Sequence, residues 1–164
     1  MEVLVLGVGN LLLGDEGVGV HAVRALARDH VFPPGVELLD GGTAGMELLE
    51  PIRQARHLVV IDAVDAGVEP GTVVRLSGNE VPIFFGRRHL SPHQVGLSDV
   101  LAVARLAGRA PATVAVHGIQ PERLEPGLDL SPRVAEALPG MLRDVLAELR
   151  RLGFPGSATA PRSR

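Results

Sequence analysis

The sequence predicts an α/β protein: a three-layer sandwich in which about five strands form a mostly parallel, twisted sheet with helices on both faces. Three observations predict it. Short apolar runs alternate with stretches of helical period, as in strands joined by crossover helices. Val3–Val8 and Leu58–Ile61 are continuously apolar, as strands buried on both faces must be. The length, 164 residues, is that of one domain with room for a sizeable core.

Each element has its own signal. Val3–Val8 is the first strand. From Gly17 to Asp29, Val18, His21, Ala22, Ala25 and Leu26 recur at helical spacing. Pro33-Pro34-Gly35 breaks the chain, and Val36–Leu39 follows as a strand ending in Asp40-Gly41-Gly42-Thr43. Ala44 to Gln54 is helical, shortened or kinked at Pro51. Leu58–Ile61 is the third strand, with Asp62 at its end. Thr72–Leu76 is the fourth, and the connection into it is too short for a helix, so it is expected to run antiparallel to its neighbour. Ser77 to Leu90 reads as irregular, with an apolar centre at Val81–Phe85 followed by Arg87-Arg88. Ser91-Pro92 is an N-cap serine with proline at the first helical position, opening a helix to about Ala107. Ala112–His117 is the fifth strand, and Gly118 to Leu130 a loop. Ser131-Pro132 opens the last helix, which Pro139-Gly140 should kink. Residues 1–153 form one domain, and 154–164 are expected to be a flexible tail.

Composition excludes several classes of function. No cysteine is present, so there is no disulfide framework, zinc–thiolate site or cysteine nucleophile. A net charge of -3 gives no argument for nucleic acid or an anionic membrane as partner, and neither is expected. All 16 basic residues are arginine, which reflects composition bias rather than function. No apolar run reaches membrane-spanning length. Glu2 stands where a signal peptide would be basic, and Asp15-Glu16 follows the first run at once, so a cytoplasmic protein is expected. No apolar helix face is left over, which points to a monomer.

In an open parallel sheet, ligands bind beyond the carboxyl ends of the strands. Those ends carry Asp15-Glu16, Asp40-Gly41-Gly42-Thr43, and Asp62 with Asp65. His93 falls in the first turn of the helix that Ser91 opens. Gly7-Val8-Gly9 fails as a dinucleotide fingerprint because position 12 is Leu12, and a chain without lysine has no phosphate-binding Gly-Lys-Ser/Thr. Neither His-Glu-x-x-His nor Gly-x-Ser-x-Gly occurs. A Ser-His-Asp triad stays open, since its members come in any order. Asp40 and Asp62 would make an aspartic dyad if about 3 Å apart. Glu16, Asp62 and His93 offer two carboxylates and an imidazole, a set suited to nickel, zinc, manganese or iron. Plainer roles compete: Asp15 capping the first helix, Asp62 holding loop amides, His93 on the surface. His21, His30 and His57 read as structural or solvated. His89 and His117 lie nearer the expected cleft.

Five stretches, in order along the chain, carry a family resemblance. They are Leu4–Gly19 (LVLGVGNLLLGDEGVG), Leu39–Leu49 (LDGGTAGMELL), Leu58–Ala63 (LVVIDA), Leu90–Leu101 (LSPHQVGLSDVL) and Gly118–Gly127 (GIQPERLEPG). In these the sequence resembles the [NiFe]-hydrogenase maturation endopeptidases. The resemblance implies a peptidase that removes a C-terminal extension from the hydrogenase large-subunit precursor after nickel insertion. It implies that Glu16, Asp62 and His93 bind metal, nickel supplied by the precursor rather than a permanent cofactor. It puts the Asp40–Thr43 loop (Gly41, Gly42 and Thr43 toward substrate) beside that site, with Asp62 or Asp40 as candidate catalytic carboxylates. A non-catalytic nickel-dependent escort would need the same three ligands, and a small-molecule hydrolase on this scaffold would need no hydrogenase partner.

Overall fold

The chain's computed structural model describes residues 1–78, 80–81 and 92–159, with the side chains of 92–95 outside that description. In chain order the elements are β1 (Val3–Val8), α1 (Val18–Asp29), β2 (His30–Val31), β3 (Val36–Gly42), α2 (Leu49–Gln54), β4 (His57–Ala63), β5 (Val73–Ser77), α3 (Pro92–Leu106), β6 (Thr113–Ile119), α4 (Pro132–Arg151) and β7 (Ser157–Ala158). Short 3-10 turns stand at Gly14–Gly17 and Met46–Leu48.

Five strands pair in the order β3-β1-β4-β6-β5. β1, β3, β4 and β6 are mutually parallel, and β5 runs antiparallel to β6. The α/β class is therefore as expected, down to the reversed strand. The apolar runs become the central strands for a simple reason. β1 is buried at every position and β4 at all but its first, so each needs apolar side chains on both faces. Alternation sorts those side chains into two layers. Leu4, Leu6, Leu58 and Val60 pack with Ile52 of α2 and with Leu97 and Val100 of α3. Val3, Val5, Val59 and Ile61 pack with Ala22 and Leu26 of α1 and with Met141, Val145 and Leu149 of α4.

Successive strands leave β1 in opposite directions: β3 lies on one side and β4 on the other. The loops after β1 and β4 therefore part at a switch point, where an open sheet forms a crevice.

α4 continues without a break from Pro132 to Arg151, with Pro139 inside it. Two expectations are corrected. The helix expected from Ala44 to Gln54 is instead a 3-10 turn followed by a helix of six residues. The segment after Gly153 is docked as far as it is described, not a loose tail. The Phe154 N–H donates to the Leu149 carbonyl at 2.8 Å, Phe154 packs into the α4 layer, and β7 pairs antiparallel with β2. Residues 160–164, Ser91 with its expected cap, and the stretch holding Phe84, Phe85, Arg87, Arg88 and His89 lie outside the described residues.

Candidate active site

Glu16 is set by the loop after β1. It belongs to the 3-10 turn Gly14–Gly17, all of whose residues are buried, and this turn packs on β4. Gly9 makes the fit: a Cβ there would stand 1.8 Å from the Glu16 carbonyl oxygen, so a larger residue would push the turn off the sheet. Gly19 acts likewise, because its Cβ would meet the carbonyl oxygens of Ile61 and Val8 at 2.1 and 2.3 Å. The first turn of α1 is thereby seated directly on the ends of β1 and β4.

Asp62 is the penultimate residue of β4 and is fully buried. It alternates with Leu58 and Val60, so it faces the α2/α3 layer. Its Oδ1 accepts the Ala63 N–H at 2.8 Å. Glu16 is 2% exposed and Asp62 0%, and both stand at the switch point. His93 lies in the first turn of α3, which covers the face toward which Asp62 points; its side chain is outside the described residues. Among the described residues no three acidic or histidine side chains gather as a metal site. Two buried carboxylates with an imidazole are a donor set that accepts a borderline divalent ion.

Asp40 ends elsewhere. Its strand is separated from β4 by β1, so Asp40 and Asp62 stand two strands apart, about 10 Å. A shared-proton dyad is not formed. The exposed Asp40 carboxylate instead takes Arg24, whose Nη2 lies 2.7 Å from Oδ2. The loop after it is anchored to the same rim, with the Gly9 N–H donating to the Gly42 carbonyl at 2.8 Å. Gly41 is buried beneath that loop and Thr43 is exposed on it.

His117 is also corrected. On β6 it alternates with Val116, so it faces α4, away from Asp62. It is 1% exposed, its Nε2 is 3.6 Å from Glu148 Oε2, and Glu148 is clasped by Arg75 at 2.8 Å and by Arg151. Burial holds the imidazole pKa below its ordinary value, more than Glu148 and Asp144 restore it. His57 Nδ1 lies 2.8 Å from Thr113 Oγ1, a structural role as expected.

Two residues shape the rim without having been singled out for it. Asp15 does not cap α1, which has no side-chain cap. Its carboxylate accepts the N–H groups of Glu122, Arg123 and Ser131 at 2.9, 2.8 and 2.6 Å, and the Ser131 hydroxyl at 2.8 Å. Burial pushes its pKa up, but these four bonds outweigh burial and hold it below the usual range. Gln120 ties the loop after β4: its Oε1 accepts the N–H groups of Ala66 and Gly67 at 2.8 and 3.1 Å. An acid next to Glu16 was the signal for Asp15. Nothing local marks Gln120.

Comparison with known proteins gives a consistent picture. A family model described as hydrogenase maturation protease matches residues 20–148. The chain is 46% identical over 154 residues to the hydrogenase 2 maturation protease of Escherichia coli (strain K12), covering 93% of each. It is 45% identical to the hydrogenase expression/formation protein HupD of Rhodobacter capsulatus, over 93% of this chain and 73% of that one. Among solved structures, the E. coli hydrogenase maturating endopeptidase HybD superposes with a TM-score of 0.92 at 45% identity, covering 96% of this chain and 98% of that one.

Proposed function

Because the chain belongs to the hydrogenase maturation protease family, and is therefore a hydrolase of peptide bonds, we propose that it removes the C-terminal extension of a [NiFe]-hydrogenase large-subunit precursor after nickel insertion. Nickel is part of the substrate. Glu16, Asp62 and His93 form an incomplete coordination sphere that a loaded precursor fills and an empty one does not. Binding then depends on loading, which makes cleavage a checkpoint.

The observation that carries this reading is the pair of buried carboxylates, Glu16 and Asp62, at the switch point of the sheet. A carboxylate kept from bulk water on rigid elements is poised for a metal or a proton. In the hydrolytic step a water oxygen adds to the scissile carbonyl while Asp62, the buried carboxylate, takes a water proton. The carbon–nitrogen bond then breaks and that proton passes to the leaving amine. The Asp40–Thr43 loop borders the path of the polypeptide. The same reading has the chain acting as a monomer in the cytoplasm, which sedimentation and cell fractionation check.

The test is incubation of the purified chain with nickel-loaded and nickel-free precursor, followed by mass spectrometry. Loss of the C-terminal segment from the loaded form alone is expected. Equal cutting of both forms contradicts nickel recognition, and cutting of neither contradicts the activity.

A further inference from the structure

We infer that the paired loops 10–16 and 120–131 form a preassembled seat for the polypeptide of the hydrogenase precursor, with Leu12 and Leu128 as its apolar contact. This rests on the function proposed above and names the surface by which that substrate is held.

The first ground is where apolar side chains are exposed. Five large ones, Leu12, Met46, Val68, Leu124 and Leu128, stand on loops leaving the carboxyl ends of the parallel strands. That is the rim of Glu16 and Asp62. Leu12 is 64% exposed and Leu128 66%. Their two loops are held together, because the Gly127 N–H donates to the Leu12 carbonyl at 2.9 Å and Leu13 bridges to Gly127. Exposed leucines grouped beside a site mark a binding surface more than scattered ones do.

The second ground is rigidity. These are loops of seven and twelve residues, the kind that ordinarily move. Here the Gly14 N–H donates to the Gly127 carbonyl and the Asp15 N–H to the Arg123 carbonyl, at 2.8 and 3.0 Å. The Asp15 carboxylate, wholly buried, binds the second loop at its start and its end. A charge is costly to bury, and its hydrogen bonds fix one geometry. The seat is ordered before the partner arrives, which lowers the entropic cost of docking.

The third ground is chemistry. Beside Leu128 a hollow of about 190 Å³ opens between Gly14 and the 123–129 loop, edged by Arg123, Glu125 and Asp129. An apolar crest next to a polar hollow matches a polypeptide, with apolar side chains on a hydrogen-bonding backbone, better than it matches a lipid. Gly14, which lines the hollow, is two residues from Glu16 in the same 3-10 turn.

The test uses the full chain, nickel-loaded precursor and two variants. Leu12→Ser/Leu128→Ser alters the seat. Leu106→Ser alters a leucine that is 90% exposed at the opposite end of the sheet, beside an apolar cavity of about 470 Å³. Both change surface side chains, and unchanged melting temperatures verify folding. The seat variant is expected to bind precursor about tenfold more weakly, with KM raised likewise and kcat at saturation unchanged, while Leu106→Ser matches the parent. Unaltered affinity in the seat variant overturns the inference. So does an equal loss in Leu106→Ser, or a fall in kcat at unchanged KM. Affinity is read directly by calorimetry, so a parent chain that binds precursor without cutting it counts against the proposed activity and not against the seat.

Discussion

Asp15 and Glu16 are adjacent acids, both buried, with separate work. Asp15 satisfies its charge with four hydrogen bonds from the loop after β6, while Glu16, in the same buried turn, is a candidate ligand. Asp15→Ala strands three backbone donors and a hydroxyl, and each buried unsatisfied group costs about 1–3 kcal/mol. A loss of roughly 3 kcal/mol or more is expected in urea unfolding. By contrast, Asp62→Asn or His93→Ala should abolish tail removal while circular dichroism and melting stay near the parent. Normal processing by either variant removes it from the site. His117 gives a pH prediction. The unfolded chain protonates it near its ordinary 6.5, whereas burial keeps the folded imidazole neutral to lower pH. Between those values the unfolded state binds more protons, so stability rises with pH. The contribution is whole above pH 6.5 and drains as pH falls through the lowered folded value. Glu148 adds a second decline of the same sign: burial raises its pKa, but Arg75 and Arg151 bring it below its ordinary 4.5. Melting temperature should drop just below pH 6.5, and His117→Gln should flatten that first step.

At the scale of elements, α4 shows how packing overrides local preference. Pro139 has no N–H to give the carbonyl one turn back, which costs an interior helix about 3 kcal/mol. Yet the helix continues, because Val134, Met141, Val145 and Leu149 are buried on both sides of Pro139. A break would expose one half of that stripe. Pro139 itself is exposed, so Pro139→Ala restores a hydrogen bond without disturbing the core. A gain of about 1–3 kcal/mol and a higher melting temperature are expected. Ser131 makes a related point. It stands at the N-cap position in extended conformation, but its hydroxyl donates to Asp15 rather than accepting from the helix.

Across the whole molecule, the segment after α4 closes the fold. Phe154 packs on the α4 layer, a Cβ on Gly156 would meet the Phe32 ring at 2.5 Å, and β7 pairs with β2 at the end of α1. Deleting 154–164 uncovers that apolar contact and leaves β2 unpaired. A loss of roughly 1–2 kcal/mol is expected, read as a lower denaturant midpoint. Processing of the precursor should persist in the shortened chain, since this corner is remote from the carboxyl rim. A shortened chain as stable as the parent would show that the docking contributes nothing.

The sequence by itself determined the sheet and the candidate ligands. Burial on both faces demands unbroken apolar runs, so Val3–Val8 and Leu58–Ile61 had one reading. A connection too short for a helix forces β5 to reverse. The strand-end rule and the LVLGVGNLLLGDEGVG and LVVIDA stretches pointed to Glu16 and Asp62. Only the tertiary structure decided what depends on contacts distant along the chain. It decided that Asp15 reaches 107 residues onward to Glu122 rather than capping its own helix. It decided that β1 separates Asp40 from Asp62, and that His117 turns to the far face. It decided that residues 154–159 fold back. Periodicity records which face of an element is buried, but not which partner lies across it, and hydrogen bonds between loops leave no period in the sequence.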